Sequence, residues 1–585
     1  MKVLGVTLGH DSSFALVEDG HVTAAMEAER YFRQKRYKLH ALTLSPGKQP
    51  SGYQYVDVEE LRGFLHVVTR AWGTKFDAVA VQNQGRVEEY RNFLTLLGEA
   101  GIQVDAAHQV HHHLSHAALA FYTSPFEESV VLSYDGEGND GQTIVFQAGP
   151  TGLKYVEKNR IRFGQSYNNA GYMCGIKPDV SGTTSGKLMG LVAYGEVRPD
   201  WLPYARRYVR EYQKLAPHLG KGLNPYGRGH RINPVALAEV PELQPFLTRG
   251  AHDSVWDRAR QLLRNHPPPE LRLPGPEDKT AQSLAATVQA AWTEEVLALL
   301  EPHRNRSRNL CVTGGCALNG IANYEIQQRG LFPATHFVPN PTDCGLSAGA
   351  ALWAHHHRSG RPFRGHDGYF PPYLGPEAFD RDQLPVFRDK YLHRDLAPGT
   401  ATAALARLIH ADRIVGVIRG RYEVGPRALG NRSILCNPLN TEMREIINRK
   451  VKHREWYRPF APVVTAEDAH RYFTNTDEIP YMSVICYTRP EWADRLPAVT
   501  HADGSARVQT ITRAQNAFLH DTLKAFEVLS GVPVILNTSF NPPGEPILNF
   551  CAVGLQMLET TDLDLVLIDD TLFSRVGKEH LLDLA

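Results

Sequence analysis

Apolar and polar positions set up the same arrangement twice. Residues 2–30 run as an apolar strand (VLGVTL), a small polar loop (GHDSS), a second strand (FALVE), a turn at Asp19 and Gly20, and a third strand (VTAAMEA). Residues 128–159 repeat that order with VVLSY, DGEGNDG, QTIVFQA, a turn over 150–152 and LKYVE. Asp-Gly between alternating apolar runs is a strong hairpin signal. The pattern predicts two β-meanders, each with an Asp/Gly loop after its first strand, opening two duplicated α/β lobes.

Helical spacing follows over 58–72, 112–122 and 280–300. In the last, Asp278 is placed to cap, and Leu284, Val288, Ala291, Val296 and Leu300 fall along the face of a long helix. Strand-like NLCVTGG, helical ALNGIANYEIQQRG, strand-like THFVPN and the polar loop PTDCG come next. That alternation suits a parallel or mixed sheet with crossover helices. A Pro-, Gly- and His-rich stretch at 220–277 reads as an insertion or lid, placed for acceptor recognition or mere surface decoration. The segment 358–375 reads as a linker; beyond it a helix at 400–409, a strand at 413–418 and a second αβ unit reach the C-terminus.

Composition narrows the class. A length of 585 residues allows about three to five domain-sized units. With 42% apolar and 22% charged residues the chain has ordinary globular usage. Lys+Arg and Asp+Glu are equal at 63, which argues against a general polyanion binder. Seven cysteines without a CxxC pair suit neither a disulfide framework nor a thiolate zinc site, and imply a reducing, cytoplasmic compartment. The apolar run at 3–8 is too short for a leader, and no run approaches a membrane span, so a soluble protein is expected.

Three constellations carry chemistry. In HHHLSHAALAFY, His112 and His116 are one helical turn apart and share a face, so both imidazoles can serve one divalent metal. His113 stands where a zinc protease has its Glu, which disfavours that mechanism. Asp135 and Asp343 each follow a strand-like run, and two imidazoles with one or two carboxylates suit Fe(II), Mn or Zn. The Gly-rich loops at 9–13, 135–141 and 314–316 fit neither a Walker nor a Rossmann pattern. Their equivalent placement suggests a nucleotide between lobes, because backbone N–H groups there can approach phosphates closely. The densest set is GRYEVGPRALGNRS (420–433) with VKHREWYRPFAP (451–462), which packs Arg421, Arg427, Arg432, Lys452, Arg454 and Arg458 among Gly, Pro and aromatics. Arg507 and Asn537, Thr538 and Ser539 lie further on. Guanidinium forks match phosphate bidentately, and no RNA-binding signature is present.

These motifs closely resemble the O-carbamoyltransferases of the NodU/CmcH type. The resemblance is carried by GHDSS, the His112–Phe126 stretch, DGEG, GKLMGLVAYG, GGCALNG, GRYEVGPRALGNRSIL, VKHREWYRPFAP, DGSARVQT and NTSFNPPGEPI, and covers nearly the whole chain. It implies an α/β protein with a duplicated actin-like (ASKHA, Kae1-like) domain over 1–360 and a YrdC-like α/β domain over 376–585. By motif match, His112, His116, Asp135 and Asp343 fall on metal positions, Fe(II) or another divalent ion. Ser12, Gly136, Lys187, Gly314, Gly315 and Asn319 fall on nucleotide positions, with Mg(II) accompanying ATP. Arg427, Arg432, Lys452, Arg454, Arg458, Arg507, Asn537, Thr538 and Ser539 fall on carbamoyl-phosphate or adenylate positions. His10 falls near the transferred group as a base, with Arg507 and Lys452 acting on the phosphate.

The implied reaction turns carbamoyl phosphate and ATP into carbamoyl adenylate and passes the carbamoyl group to a hydroxyl of a small natural product. That chemistry needs phosphate neutralisation, a Lewis acid and a base, which the three constellations can supply. No nucleic-acid or membrane partner is expected, and a homodimer is possible. The alternatives are a threonylcarbamoyladenosine-type tRNA modification factor, which needs a nucleic-acid groove, and an actin-fold kinase or ATPase, which does not require the His/Asp set.

Overall fold

The echo becomes two five-stranded sheets of the same order. A computed structural model describes residues 1–41, 58–138, 141–215, 240–243, 275–366 and 369–585. The first sheet holds β1 (Lys2–Thr7), β2 (Ser13–Glu18), β3 (His21–Glu27), β4 (Ala78–Gln82) and β5 (Ala107–Gln109), in the order β3-β2-β1-β4-β5. The second holds β6 (Ser129–Gly138), β7 (Gly141–Gly149), β8 (Gly152–Asn159), β9 (Asn309–Thr313) and β10 (Ala334–Phe337), in the order β8-β7-β6-β9-β10. In each, the meander is antiparallel and its first strand pairs in parallel with the fourth. A mixed sheet results, because the hairpin turns allow antiparallel return whereas the later strands arrive by helical crossovers.

Helices cover the sheets where glycine lets backbones meet. Helix α1 (His112–Tyr122) and helix α3 (Leu346–Ser359) touch so closely that a Cβ on Gly349 would lie 1.9 Å from the Ser115 carbonyl oxygen. A Cβ on Gly5 of β1 would come as near the Ser347 carbonyl, 1.9 Å. Between them in the chain comes α2 (Lys279–Leu300), whose N-terminus is capped by Asp278 accepting from the Thr280 N–H at 2.8 Å, as the sequence predicts. The wholly buried Trp292 of α2 satisfies its indole N–H on the Phe163 carbonyl at 2.9 Å.

The C-terminal part is built on an eight-stranded mixed sheet. Its strands are β11 (Leu392–Asp395), β12 (Val415–Ile418), β13 (Arg432–Cys436), β14 (Ala461–Thr465), β15 (Gln509–Ile511), β16 (Val534–Ser539), β17 (Leu565–Ile568) and β18 (Thr571–Ser574). Their order is β11-β18-β17-β12-β13-β16-β14-β15. The segment read as a linker is a packed strap. Phe363, Phe370 and Leu374 are buried, and the Leu374 carbonyl accepts from the Ala25 N–H on edge strand β3 at 2.8 Å. Arg421 ties the same strap down, donating to the Leu374 carbonyl at 2.6 Å and the Thr23 carbonyl at 2.9 Å. The insertion expected at 220–277 lies outside the described residues except for 240–243 and 275–277. All seven cysteines are buried and none forms a disulfide. Among the described residues no helix is long and apolar enough to cross a membrane.

Candidate active site

The lobes bring four donors to one point. Helix α1 presents His112 and His116 on one face, β6 carries Asp135 within the strand, which runs on to Gly138 where the sequence suggests a loop, and the single turn Asp343–Gly345 supplies Asp343 just before α3. The His116 Nε2 atom lies 3.1 Å from Asp135 Oδ2 and 3.4 Å from Asp343 Oδ1. His112 Nε2 lies 3.4 Å from Asp135 Oδ2 and 3.8 Å from Asp343 Oδ1. All four donor atoms fall within 4.8 Å of one another, so this N₂O₂ set fits a borderline divalent cation. The triple-His register resolves cleanly: His113 turns away to Ser133 Oγ at 2.7 Å and the Gly141 carbonyl at 3.0 Å, and His111 is only the residue before the helix. Burial alone would raise the Asp135 carboxyl, but His112 and His116 hold it well below the usual range. Burial alone would lower His116, but Asp135 and Asp343 lift it to about 9.

His10 adjoins this centre. Its Nδ1 lies 2.9 Å from Asp11 Oδ2 and 3.3 Å from Asp343 Oδ2, so Asp343 faces the His pair with one oxygen and His10 with the other. Asp11 reaches this place with a left-handed backbone, φ +58°. Burial pushes the His10 imidazole down, yet the Asp343 and Asp11 carboxylates outweigh it and raise it to about 9. Arg36, exposed on the adjoining loop, is raised by the nearby Asp11, Asp179 and Asp343 carboxylates.

Most of the sequence-predicted nucleotide residues are occupied by the protein itself. Ser12 Oγ donates to the Gly9 carbonyl at 2.6 Å and accepts from the Leu39 N–H at 2.9 Å. Asn319 caps the helix Gly320–Arg329 and pairs with Gln289 at 3.1 Å. Lys187 reaches Glu455 at 2.5 Å and the Lys177 carbonyl at 3.0 Å, bridging the second lobe to the C-terminal part. Gly314, with φ +90°, would place a Cβ 2.2 Å from the Tyr134 carbonyl, and Gly315 one 2.8 Å from Asp135 Oδ1. These two glycines therefore let the loop close on the Asp135 strand. Gly136 has open space where a Cβ would stand.

The second centre is cationic. Burial and mutual repulsion push Arg427 down to about 10, and hold Lys452, Arg454 and Arg507 well below their ordinary values, with Arg458 contributing to each. Carboxylate relief is scarce: Glu455 lies 3.6 Å from Arg458. The buried Nε atoms of Arg427 and Arg507 have no hydrogen-bond partner. Lys452 Nζ donates to Asn541 Oδ1 at 2.7 Å and the Ser539 carbonyl at 2.8 Å, which sets the end of β16 beside the cluster. Asn537 donates to Gln509 Oε1 at 2.9 Å and the Ala428 carbonyl at 3.1 Å, bracing the loop of Arg427. Such crowded, desolvated cations suit an anion of several charges.

Arg432 corrects the sequence reading. It is fully buried, and all its N–H donors go to the Arg419, Gly420 and Asn431 carbonyls and Asn549 Oδ1, at 2.8–3.1 Å. It fastens the loop before β13 and has nothing left for a ligand. Sequence reasoning missed Lys35 and Arg36, on one short loop. Lys35 adds to the repulsion lowering Lys452, while Asp11 and Asp343 are among the carboxylates that raise Arg36.

Comparisons with known proteins agree with two such parts. A carbamoyltransferase N-terminus family model matches residues 80–352, and a carbamoyltransferase C-terminus model matches 406–575. Nodulation protein NolNO of Sinorhizobium fredii is 31% identical over 97% of this chain and 79% of its own length. Nodulation protein U of Rhizobium tropici is 28% identical over 100% of this chain and 97% of its own. Full-length HypF in its phosphate- and nucleotide-bound form superposes with a TM-score of 0.31 at 12% identity, over 60% of this chain and 55% of its own. The first matched segment holds the four-donor centre and the second holds the cationic centre; the chain belongs to the carbamoyltransferase family.

Proposed function

We propose that this carbamoyltransferase works in two steps at two centres, activating the carbamoyl group at the cationic centre and transferring it beside His10. The observation that carries this reading is the separation of charge: partly buried, under-neutralised arginines crowded around a buried Lys452 on one side, a carboxylate–imidazole set on the other. The duplicated five-stranded lobes support an actin-like reading of the N-terminal part, and the eight-stranded sheet is assigned to a YrdC-like unit.

In the first step carbamoyl phosphate, ATP and one water give carbamoyl adenylate, pyrophosphate and phosphate. Arg427, Lys452, Arg454, Arg458 and Arg507 hold the phosphate charge, with Ser539 of β16 beside the cluster. In the second step the acceptor oxygen attacks the carbamoyl carbon, the mixed-anhydride C–O bond breaks, AMP leaves, and the hydroxyl proton passes to His10. Asp11 and Asp343 hold His10 by Nδ1, which leaves Nε2 for the acceptor. Asp343 and Asp11 both raise His10, so a cation held at Asp343 would offset one of the two lifts.

His112, His116, Asp135 and Asp343 would hold the divalent ion, with Fe(II) favoured by the family resemblance. When bound, that ion supplies Lewis acidity at the transferred group or the acceptor oxygen. The backbone at Gly136 offers open approach for the nucleotide. The acceptor is a hydroxyl of a small molecule. An adenylate lost to water wastes ATP, so both centres should share a closed cleft, and the Lys35–Arg36 loop supports this arrangement.

The experiment is to run both half-reactions on His10→Asn. Pyrophosphate release should be spared while carbamoylated product falls by ~10²-fold or more, the scale of general-base loss. A parallel fall of both would make His10 a binding residue of its loop and overturn the assignment.

A further inference from the structure

Glu27 and Arg30 belong to neither centre yet touch a loop of each. Glu27 ends β3 and Arg30 lies in the short helix Ala28–Phe32. Their side chains are 2% and 0% exposed and are joined Oε2 to Nε at 2.5 Å. Towards the cationic centre, Glu27 Oε1 accepts from the Gly425 N–H at 2.7 Å, and Arg30 Nη2 donates to the Glu423 and Gly425 carbonyls at 2.8 Å each. The guanidinium lies 4.4 Å from the Tyr422 ring centroid, and the Tyr422 hydroxyl accepts from the Glu27 N–H at 2.9 Å. Arg427 follows two residues after Gly425 on that loop.

Towards the four-donor centre, the same Oε1 accepts from Asn340 Nδ2 at 3.4 Å. Asn340 Oδ1 accepts from Thr342 Oγ1 at 3.0 Å, and the Thr342 carbonyl accepts from the Gly345 N–H at 2.8 Å, closing the turn that carries Asp343. The two loops also meet directly. A Cβ on Gly425 would stand 2.7 Å from the Pro339 carbonyl oxygen and 3.2 Å from Asn340 Cα, at φ +96°. Apolar packing could seal this interface without the desolvation cost of two buried charges, and the best-attested use of a buried ionic group is to fix register.

We propose that Glu27 and Arg30 form a positioning pair that holds the Asp343 loop and the Arg427 loop in one register, so that both centres are set by a single buried ion pair. The proposal rests on the two-centre reading above, because it assigns a ligand to each loop. Its consequence is unusual for a residue that touches no ligand: loosening one pair weakens two chemically unrelated sites together.

The test uses the full chain and two probes, Mn(II) for the four-donor centre and inorganic phosphate for the cationic one, titrated separately into wild type, Glu27→Gln and Glu27→Asp. Glu27→Gln is expected to weaken both probes by ~10-fold or more, the scale seen when an outer partner of a metal ligand is lost. Glu27→Asp keeps the charge and should recover part of both losses. Affinities equal to wild type for both probes in folded Glu27→Gln, or loss of one probe alone, would overturn the proposal. Should Glu27→Gln fail to fold, Arg30→Lys removes the fork to Glu423 and Gly425 while keeping the charge, and the same joint weakening is expected. A wild-type protein that binds neither probe would contradict the two-centre reading itself, and the pair with it.

Discussion

The two centres solve opposite electrostatic problems. Around His112, His116, Asp135 and Asp343 each charged group faces one of opposite or convertible sign, so a proton or a cation completes the set. Around a buried Lys452, the partly buried Arg427, Arg454, Arg458 and Arg507 crowd like charges together, with Glu455 beside Arg458. Charges this crowded cost stability until an anion arrives, so that cluster is built for ligand rather than for folding. The comparison teaches that a site's demand can be inferred from its unbalanced charge. A cation is called for where carboxylates converge, and a polyanion where guanidinium groups do.

His116→Ala should break the first centre alone. Losing a direct ligand is expected to strip the metal from full stoichiometry to traces, more than the ~10–10²-fold weakening that follows loss of an outer hydrogen-bond partner. Elemental analysis reads the metal, and carbamoyl-phosphate-dependent pyrophosphate release should survive. Metal retained at wild-type level would refute the ligand set.

A smaller effect sharpens the second centre. Burial, then Arg454, Arg458 and Lys35, hold the Lys452 ammonium well below its ordinary 10.5. Between that depressed folded value and 10.5 the unfolded chain binds more protons than the folded one, so stability of the ligand-free protein rises with pH through this window. Each unit of depression is worth about 1.4 kcal/mol. Lys452→Met, and saturating phosphate in the wild type, should each flatten that part of the Tm–pH curve. Identical slopes with and without Lys452 would mean its charge is already compensated.

Much of this was legible in the chain because it repeats. The two Asp/Gly meanders announced paired sheets, since a hairpin turn and a period of two are local signals. The i, i+4 spacing of His112 and His116 placed both on one face, while Asp343 comes from a turn after β10 and Asp135 from within β6, which runs past the expected loop start. What failed was telling ligand-facing residues from their neighbours. Arg427 and Arg432 share one motif, yet β13 begins at Arg432 and turns it into a cage of carbonyls. Ser12 and Asn319 satisfy nearby backbone, as small polar residues in Gly-rich loops often do. Glu27 and Arg30 look like surface charges in EAER, because their partners lie about four hundred residues away by count, a separation no local pattern carries.

The most direct measurement is carbamoyl-phosphate-dependent pyrophosphate release from ATP without any acceptor, compared between the wild type and Arg507→Ala. A charge-assisted phosphate contact contributes about 1.5–3 kcal/mol, so the variant should release pyrophosphate roughly 10–10²-fold more slowly, with carbamoyl adenylate, or AMP from its hydrolysis, rather than ADP as the nucleotide product in both. Release at the wild-type rate from Arg507→Ala, or ADP as the product, would contradict activation at the cationic centre.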